Sequence, residues 1–292
     1  MIQWKSVIGT IAALSLASCV ADDGTDGGDS AVGASTPQPE QKTSGYGTWG
    51  WQRTTNLPTS DDYHTIGSTA GQTCFLSGLL GSMESAYGDQ EPPNTLYTVA
   101  AAGFIGGDSN TYQLEAFPGV TGAALGMRGV CTDTVASRTK LYYYDSSANT
   151  GAVKMAPTTN PKTGKVTICG LVEVYQSGSL TAPQSFASVN DELHVIDGGD
   201  GYWYLGGSGN VAGEAQCIDV TSRTTSDYTV DGGTINLSSG ADKQCFLTGL
   251  KGIWQSNNLS SGVTIAYDAG LLQWTMTATD IGKQRGYARC LK

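Results

Sequence analysis

Residues 245–250 read Cys-Phe-Leu-Thr-Gly-Leu, and residues 74–79 repeat this run with a single change, as Cys-Phe-Leu-Ser-Gly-Leu. A third run, residues 170–177, shares a longer pattern with residues 78–85 and 249–256. The pattern is Gly-Leu, three residues, a large residue, Gln or Glu, and then Ser. Self-similarity within one chain is the signature of a repeated structural unit. We therefore expect three related units.

Each unit continues into a strand with an aromatic residue and ends on a cysteine. The aromatic residues are Tyr112, Trp203 and Trp274, and the closing cysteines are Cys131, Cys217 and Cys290. Every aromatic strand follows a polar or Gly-rich turn, which is typical of strand boundaries. These landmarks predict units at residues 46–132, 133–218 and 219–292.

The units contain six of the chain's seven cysteines, two in each. Six cysteines allow fifteen pairings, and repetition selects the same bridge in each unit: Cys74–Cys131, Cys169–Cys217 and Cys245–Cys290. Cys74 and Cys245 stand four residues before the shared glycine, whereas Cys169 stands one residue before it. An odd shift turns a strand side chain to the opposite face. Either a short deletion precedes Gly170, or the middle bridge is built differently.

The composition favours short strands joined by tight turns. The chain has 40 glycines and 14 tyrosines, with abundant Thr, Ser and Val and few runs of helical period. We expect an all-β fold of three tandem disulfide-stapled repeats, each an antiparallel β-sandwich or a small barrel. A pseudo-threefold arrangement of the repeats is one option.

Residues 1–18 are typical of an export signal. Residues 6–17 form an apolar stretch that is too short to span a bilayer. It ends Leu16-Ala17-Ser18-Cys19, which resembles the lipobox of bacterial lipoproteins. The resemblance implies acylation of Cys19 and a stable membrane anchor. Val20, where an inner-membrane lipoprotein of the enteric type would carry Asp, points to the outer membrane or cell surface. An ordinary cleaved signal peptide is the alternative.

Residues 19–45 contain Asp, Gly, Ser, Thr and Pro with almost nothing to bury. Such a composition predicts a disordered tether. Four aspartates fall within residues 22–29, but neither register supplies the Glu that an EF-hand needs at its twelfth position. We interpret the segment as a lipidated, solvated spacer.

Charge and residue usage exclude several functions. The net charge is −10 and the 16 basic residues are scattered, which argues against a nucleic-acid partner. The two histidines, His64 and His194, stand at non-equivalent positions and with bridged cysteines cannot compose a zinc site, so we expect no metal or cofactor. His194 lies in an alternating run typical of a strand surface rather than of a general base. No catalytic residue is assigned, since nothing selects a glycosidase-type pair among the 26 acids.

The candidate ligand contacts are aromatic rings beside an acidic turn. Tyr202, Trp203 and Tyr204 follow a turn that contains Asp197 and Asp200. An aromatic ring can stack on a sugar face while a carboxylate accepts hydrogen bonds from its hydroxyls. Because every unit has an aromatic residue at the position of Trp203, we interpret Trp203 as a core residue packed on the neighbouring disulfide. Strand alternation then turns Tyr202 and Tyr204 outward.

The third unit resembles the cysteine-bracketed modules of secreted and surface proteins of environmental bacteria. The resemblance lies in residues 245–250, in the strand that carries Trp274 and in the closing run Ala288-Arg289-Cys290. Repetition on a tether, with no catalytic constellation, suits multivalent attachment. We expect a non-catalytic binding or adhesion protein that is held on the membrane by its lipid and contacts a glycan or an envelope protein. Trp49 and Trp51 would form an N-terminal clamp or an exposed patch. The alternatives are a secreted polysaccharide-acting enzyme and a structural envelope component.

Overall fold

The described part of the chain is built from short antiparallel strands. The computed structural model describes residues 41–43, 46–54, 63–68, 72–83, 98–100, 111–116, 124–132, 139–175, 186–240, 242–256 and 258–291. No helix among these residues is long and apolar enough to cross a membrane. The expected signal peptide and Cys19 lie outside the described residues.

The strands are β1 (Gln41–Thr43), β2 (Tyr46–Thr54), β3 (Tyr63–Ser68), β4 (Thr73–Gly81), β5 (Thr98–Ala100), β6 (Thr111–Ala116), β7 (Ala124–Thr132), β8 (Tyr142–Asp145), β9 (Val153–Pro157), β10 (Val166–Tyr175), β11 (Glu192–Asp197), β12 (Tyr202–Ser208), β13 (Ala212–Val220), β14 (Tyr228–Val230), β15 (Gly233–Ser239), β16 (Gln244–Gly252), β17 (Gly262–Asp268), β18 (Gln273–Ala278) and β19 (Gln284–Leu291). Strand β1 falls at the end of the segment 19–45, for which the sequence predicts a tether. Its residues pair with β2 and cover the otherwise open edge of that strand.

Three sheets contain these strands. The first sheet has seven strands in the order β1-β2-β7-β4-β17-β18-β15, and the second has six in the order β3-β6-β5-β10-β13-β8. The third also has six, in the order β14-β19-β16-β11-β12-β9. The all-β antiparallel prediction is therefore confirmed. The small-barrel alternative is wrong, because among the described strands each sheet ends in two edge strands and does not close on itself.

Each sheet combines strands from two of the three predicted segments. Strand β5 of segment 46–132 pairs with β10 of segment 133–218. Strand β11 of that second segment pairs with β16 of segment 219–292, and β17 of the third segment pairs with β4 of the first. A segment therefore completes its sheets only with its neighbours, which revises the expectation of a self-contained sandwich in each repeat. The segment boundaries and the pseudo-threefold axis stay predictions.

The three predicted disulfides are confirmed. They are Cys74–Cys131, Cys169–Cys217 and Cys245–Cys290. Each joins directly opposite residues of two neighbouring antiparallel strands, which are β4 with β7, β10 with β13, and β16 with β19. All six cysteines are buried. With sequence separations of 57, 48 and 45 residues, each bridge contributes about 4 kcal/mol by the chain-entropy model.

The middle bridge is built like the other two. After each first cysteine the strand carries a β-bulge at the same distance, between Leu76 and Gly78 in β4, Leu171 and Glu173 in β10, and Leu247 and Gly249 in β16. The cysteine therefore marks the structural register. The Gly-Leu match at Gly170 does not, because Gly170 directly follows its cysteine, as Phe75 and Phe246 follow theirs.

Those three residues meet where the cysteine-bearing strands β4, β10 and β16 contact one another. The rings of Phe75 and Phe246 stack with their centroids 4.3 Å apart and their planes 20° from parallel. A Cβ atom on Gly170 would lie 2.6 Å from the Phe246 ring and 2.8 Å from the Phe75 ring. The two rings fill the space between the strands, so the third strand must carry glycine at this position.

The three aromatic strand residues are core residues, as predicted. Tyr112 on β6, Trp203 on β12 and Trp274 on β18 are all buried. The Trp203 indole N–H donates a hydrogen bond to the Thr167 carbonyl oxygen at 3.1 Å, which satisfies its one polar group. These large side chains anchor the hairpins of the outer strands to the interior.

Gly170→Ala is expected to lower the free energy of unfolding by about 1–3 kcal/mol, since the added methyl group must displace two rings. Equilibrium chemical denaturation of the oxidised protein measures the change. Gly151→Ala is the matched control, because no atom lies within 4 Å of a Cβ built at that position. The cost should be smaller in a Phe246→Leu background. Equal stability of Gly170→Ala and the wild type would contradict the packing described.

Candidate binding site

The junctions between segments differ at one register position. Just after each bulge, Gly78 stands opposite Thr264, Glu173 opposite Ala100, and Gly249 opposite His194. The third sheet alone has a histidine at this junction position. The histidine at this position is therefore specific to the third sheet and is not required by the strand pairing that the three junctions share.

His194 lies between two carboxylates. Its Nε2 is 2.8 Å from Oδ2 of Asp227, and its Nδ1 is 3.6 Å from Oε1 of Glu192. The imidazole also stacks on the Tyr287 ring, with the centroids 4.1 Å apart. Gly249 on the paired strand leaves room for this ring, since a Cβ there would lie 2.6 Å from its Cδ2 atom. Glu192 and His194 reach the same face because they alternate along β11.

Two cations and a hydroxyl complete the cluster. Lys251 donates to Glu192 with Nζ 3.0 Å from Oε2, and Arg289 donates to Asp227 with Nε 2.6 Å from Oδ1. The Thr248 hydroxyl also donates to Oδ1 of Asp227, at 2.9 Å. Arg289 is almost wholly buried, so its pairing with Asp227 offsets the cost of removing its charge from water.

The two carboxylates raise the pKa of the His194 imidazole. Burial lowers the pKa of the imidazole, but Asp227 and Glu192 outweigh it and the pKa rises above its usual value. The His194 imidazole lowers the pKa of Glu192 to about 2, against burial and with a contribution from Lys251. Burial raises the pKa of Asp227, but His194 and Arg289 bring it below its usual value. An imidazole whose two nitrogens both face carboxylates is poorly placed to take a proton from a ligand.

His194 was predicted to be a strand surface residue. It does lie on strand β11, but its side chain is only 15% exposed. Tyr287 and the two acidic partners cover part of the ring, and His194 also lines an open cleft on the outer face of the strand.

The cluster extends to the predicted acidic turn. The guanidinium groups of Arg289 and Arg223 lie 4.6 and 4.7 Å from the Trp203 ring, within the range of a cation–π contact. Arg223 donates to Asp197 with Nη2 3.3 Å from Oδ2. Asp197 is thus fixed by a cation that also packs on the buried indole.

Within the turn, the predicted contact residues interact with each other. The Tyr204 hydroxyl donates to Oδ2 of Asp200 at 2.8 Å, and Nζ of Lys154 lies 3.1 Å from the same oxygen. The Lys154 ammonium also lies 3.5 Å from the centroid of the Tyr202 ring. As predicted from a buried Trp203, both tyrosines face outward, and Tyr202 is 37% exposed.

An open cleft of about 370 Å³ lies beside the charged cluster. One wall is the turn between β8 and β9, and the other is formed by β11 and β12. Its lining includes Asn149, Thr150, Glu192, His194, Ile196 and Ser208. Ile196 stands directly opposite Tyr204 in the hairpin, so the cleft and the aromatic turn lie side by side on the third sheet.

The structure brings together only some of the predicted site residues. Tyr202, Tyr204, Asp197 and Asp200 share one end of the β11–β12 hairpin. Trp49 and Trp51 lie on β2 of the first sheet, opposite Gly129 and Met127 of β7, and not on the sheet that carries this hairpin. The two groups therefore lie on different sheets.

The ionic cluster was not predicted from the sequence. The alternation of Glu192 and His194 places both on one strand face, but Asp227 is 33 residues beyond His194 and in the next segment. Only the pairing of β11 with β16 brings these residues together. Among the described residues, no three His, Cys, Asp or Glu side chains form a group that could hold a metal ion.

A scan of protein-family models and a search of curated proteins both return no match for this chain.

His194→Gln is expected to lower the free energy of unfolding by about 1–3 kcal/mol near pH 5.5, because it removes a charged hydrogen bond to Asp227. Because folding raises the pKa of His194, the stabilisation that its charge provides is complete below the unfolded-state pKa of about 6.5. This stabilisation is lost as the pH rises through the higher folded-state pKa. The difference in unfolding free energy between wild type and variant, measured by denaturation from pH 5 to pH 9, should therefore shrink. A difference that stays constant over this range would rule out the charged imidazole.

Proposed function

We propose that this chain is an exported, lipid-anchored surface protein that binds glycans through the outer face of its third sheet. The observation that carries the proposal is the outward-facing pair Tyr202 and Tyr204, with Asp200 between them and an open cleft alongside. Rings supply apolar contact to a sugar face, and carboxylates accept hydrogen bonds from hydroxyls.

The polar groups at this patch are available to a ligand. The side chains of Lys154 and Asp200 are 48% and 46% exposed. An ion pair so exposed contributes little to stability, so a ligand can displace or share it at small cost. The Lys154 ammonium over the Tyr202 ring can be exchanged for the C–H face of a sugar.

The state of His194 supports binding rather than catalysis. Its imidazole lies between two carboxylates that raise its pKa, and Glu192 stays ionised down to about pH 2. A general acid and base pair requires one group that releases a proton and one that accepts it near the working pH. Here both groups are engaged in ion pairs and hydrogen bonds, and both line the cleft, so they are better suited to holding a ligand than to exchanging protons with it.

Three disulfides favour an oxidising compartment. Together with the lipobox resemblance, they support export, acylation of Cys19, and attachment to the outer membrane or cell surface. Among the described residues, the His194 cluster and this cleft both lie on the third sheet. Avidity would then come from many anchored chains on one surface.

A second candidate partner is another envelope protein. Leu271 and Leu272, at the turn between β17 and β18, are 69% and 59% exposed, which is unusual for two adjacent leucines. A structural envelope role is favoured if a stoichiometric membrane partner co-purifies with the wild type and is lost in a Leu271→Ser/Leu272→Ser double variant.

Tyr202→Ala is expected to weaken glycan binding by the full chain at least tenfold, which corresponds to about 1.4 kcal/mol. A glycan array identifies the ligand, and titration calorimetry measures its affinity. Tyr143→Ala is the matched control, since Tyr143 is similarly exposed at 43% but lies in the second sheet. The absence of any array signal, together with intact surface adhesion in a deletion strain, would refute the proposal.

A further inference from the structure

We propose that the cleft between the β8–β9 turn and the β11–β12 hairpin is the binding site for one uncharged sugar residue. This inference rests on the proposed glycan-binding function and names the ligand class and the place of binding. It assigns the sugar ring to the cleft itself, with the glycan continuing toward Tyr204 and Tyr202.

A donor and an acceptor lie side by side in the cleft lining. Oε1 of Glu192 and Nδ1 of His194 are 3.6 Å apart, which is longer than a hydrogen bond. Their other polar atoms are already engaged, Oε2 of Glu192 by Lys251 and Nε2 of His194 by Asp227. A hydroxyl donates one hydrogen bond and accepts others, so a sugar hydroxyl, or two adjacent ones, can bridge this pair.

The cleft lining pairs one acidic side chain with one basic side chain. Glu192 is the acidic residue of the lining, and His194, whose pKa is raised by its carboxylate neighbours, is the basic one. Lys251 and Arg289 bind the carboxylates of Glu192 and Asp227 and are not part of the lining. A charged ligand would gain attraction from one member of the lining pair and repulsion from the other. The cleft therefore favours an uncharged polyhydroxylated ligand over a uronic acid or an amino sugar.

The remaining lining matches the two sides of a sugar ring. Ile196 is 40% exposed and, with Ala152 and Gly206, offers an apolar surface to ring C–H groups. Thr150 and Ser208 line the same cleft, and the Ser208 hydroxyl, which donates to the Asn190 carbonyl oxygen at 2.8 Å, can still accept a hydrogen bond. A volume of about 370 Å³ is at the lower end of the usual range for ligand pockets, which suits a single ring better than a long chain.

The junction of the first sheet lacks this pair. At the register positions of Glu192 and His194 it carries Gly262 and Thr264. The ionisable pair is therefore a specific feature of the third sheet, placed where the turn at residues 149–152 forms an adjacent wall. A requirement of the fold alone does not explain it.

Gly151→Leu tests the cleft directly. Gly151 lines the cleft and a Cβ there meets no atom within 4 Å, so a leucine adds bulk at the cleft wall without forcing the backbone to move. Ala148→Leu is the matched control, because Ala148 is exposed in the same turn but does not line the cleft. Thermal unfolding of both variants verifies that the fold is retained, and Glu192→Gln provides a second variant that keeps the shape of the side chain.

Binding of the full chain is measured by calorimetry against three probes of matched length: a neutral hexose oligosaccharide, a uronic acid oligosaccharide and an amino-sugar oligosaccharide. We expect binding of the neutral probe, a loss of at least tenfold in Gly151→Leu and Glu192→Gln, and no change in Ala148→Leu. Wild-type affinity in Gly151→Leu, with a loss only in Tyr202→Ala, would overturn the cleft assignment and leave the proposed function standing. Exclusive binding of a charged probe would overturn the ligand class. Failure of all glycans to bind would overturn both proposals.

Discussion

The close approach of strands β4, β10 and β16 is the constraint on which the rest of the structure depends. Each strand is joined to a neighbouring antiparallel strand of its sheet by a buried disulfide, and the next residue points into the space shared by all three. Phe75 and Phe246 fill that space by stacking, and Gly170 provides the room for them. Because every sheet combines strands from two segments, this centre connects all three sheets.

The sheets share one pattern of strand pairing but differ in the residues at their junctions. The first sheet accepts Gly78 and Thr264 at its junction, whereas the third places His194 opposite Gly249 and surrounds it with acids and cations. The ionic cluster then packs through Arg289 and Arg223 against the buried Trp203, whose neighbours in sequence face solvent. The same strand thus holds the core with one residue and presents a candidate binding surface with the next.

The strands and the disulfides could be predicted from the sequence, but the pairing of strands from different segments could not. Paired cysteines and alternating aromatic residues are local signals, so the three disulfides, the all-β class, and the buried Trp203 could be predicted. The exchange of strands between segments could not, because it depends on packing between residues far apart in the chain. The apparent offset at Gly170 arose because a glycine needed for packing happened to precede a leucine, as Gly78 and Gly249 do. The cluster around His194 depends on the same exchange.

The central claim is that covalent bridges close within each segment while the sheets run between segments. Mass spectrometry of a non-reduced proteolytic digest of the protein from its native host tests this most directly. We expect three bridged peptide pairs, Cys74 with Cys131, Cys169 with Cys217, and Cys245 with Cys290. Free sulfhydryls at these positions, or any bridge that joins two different segments, would contradict it.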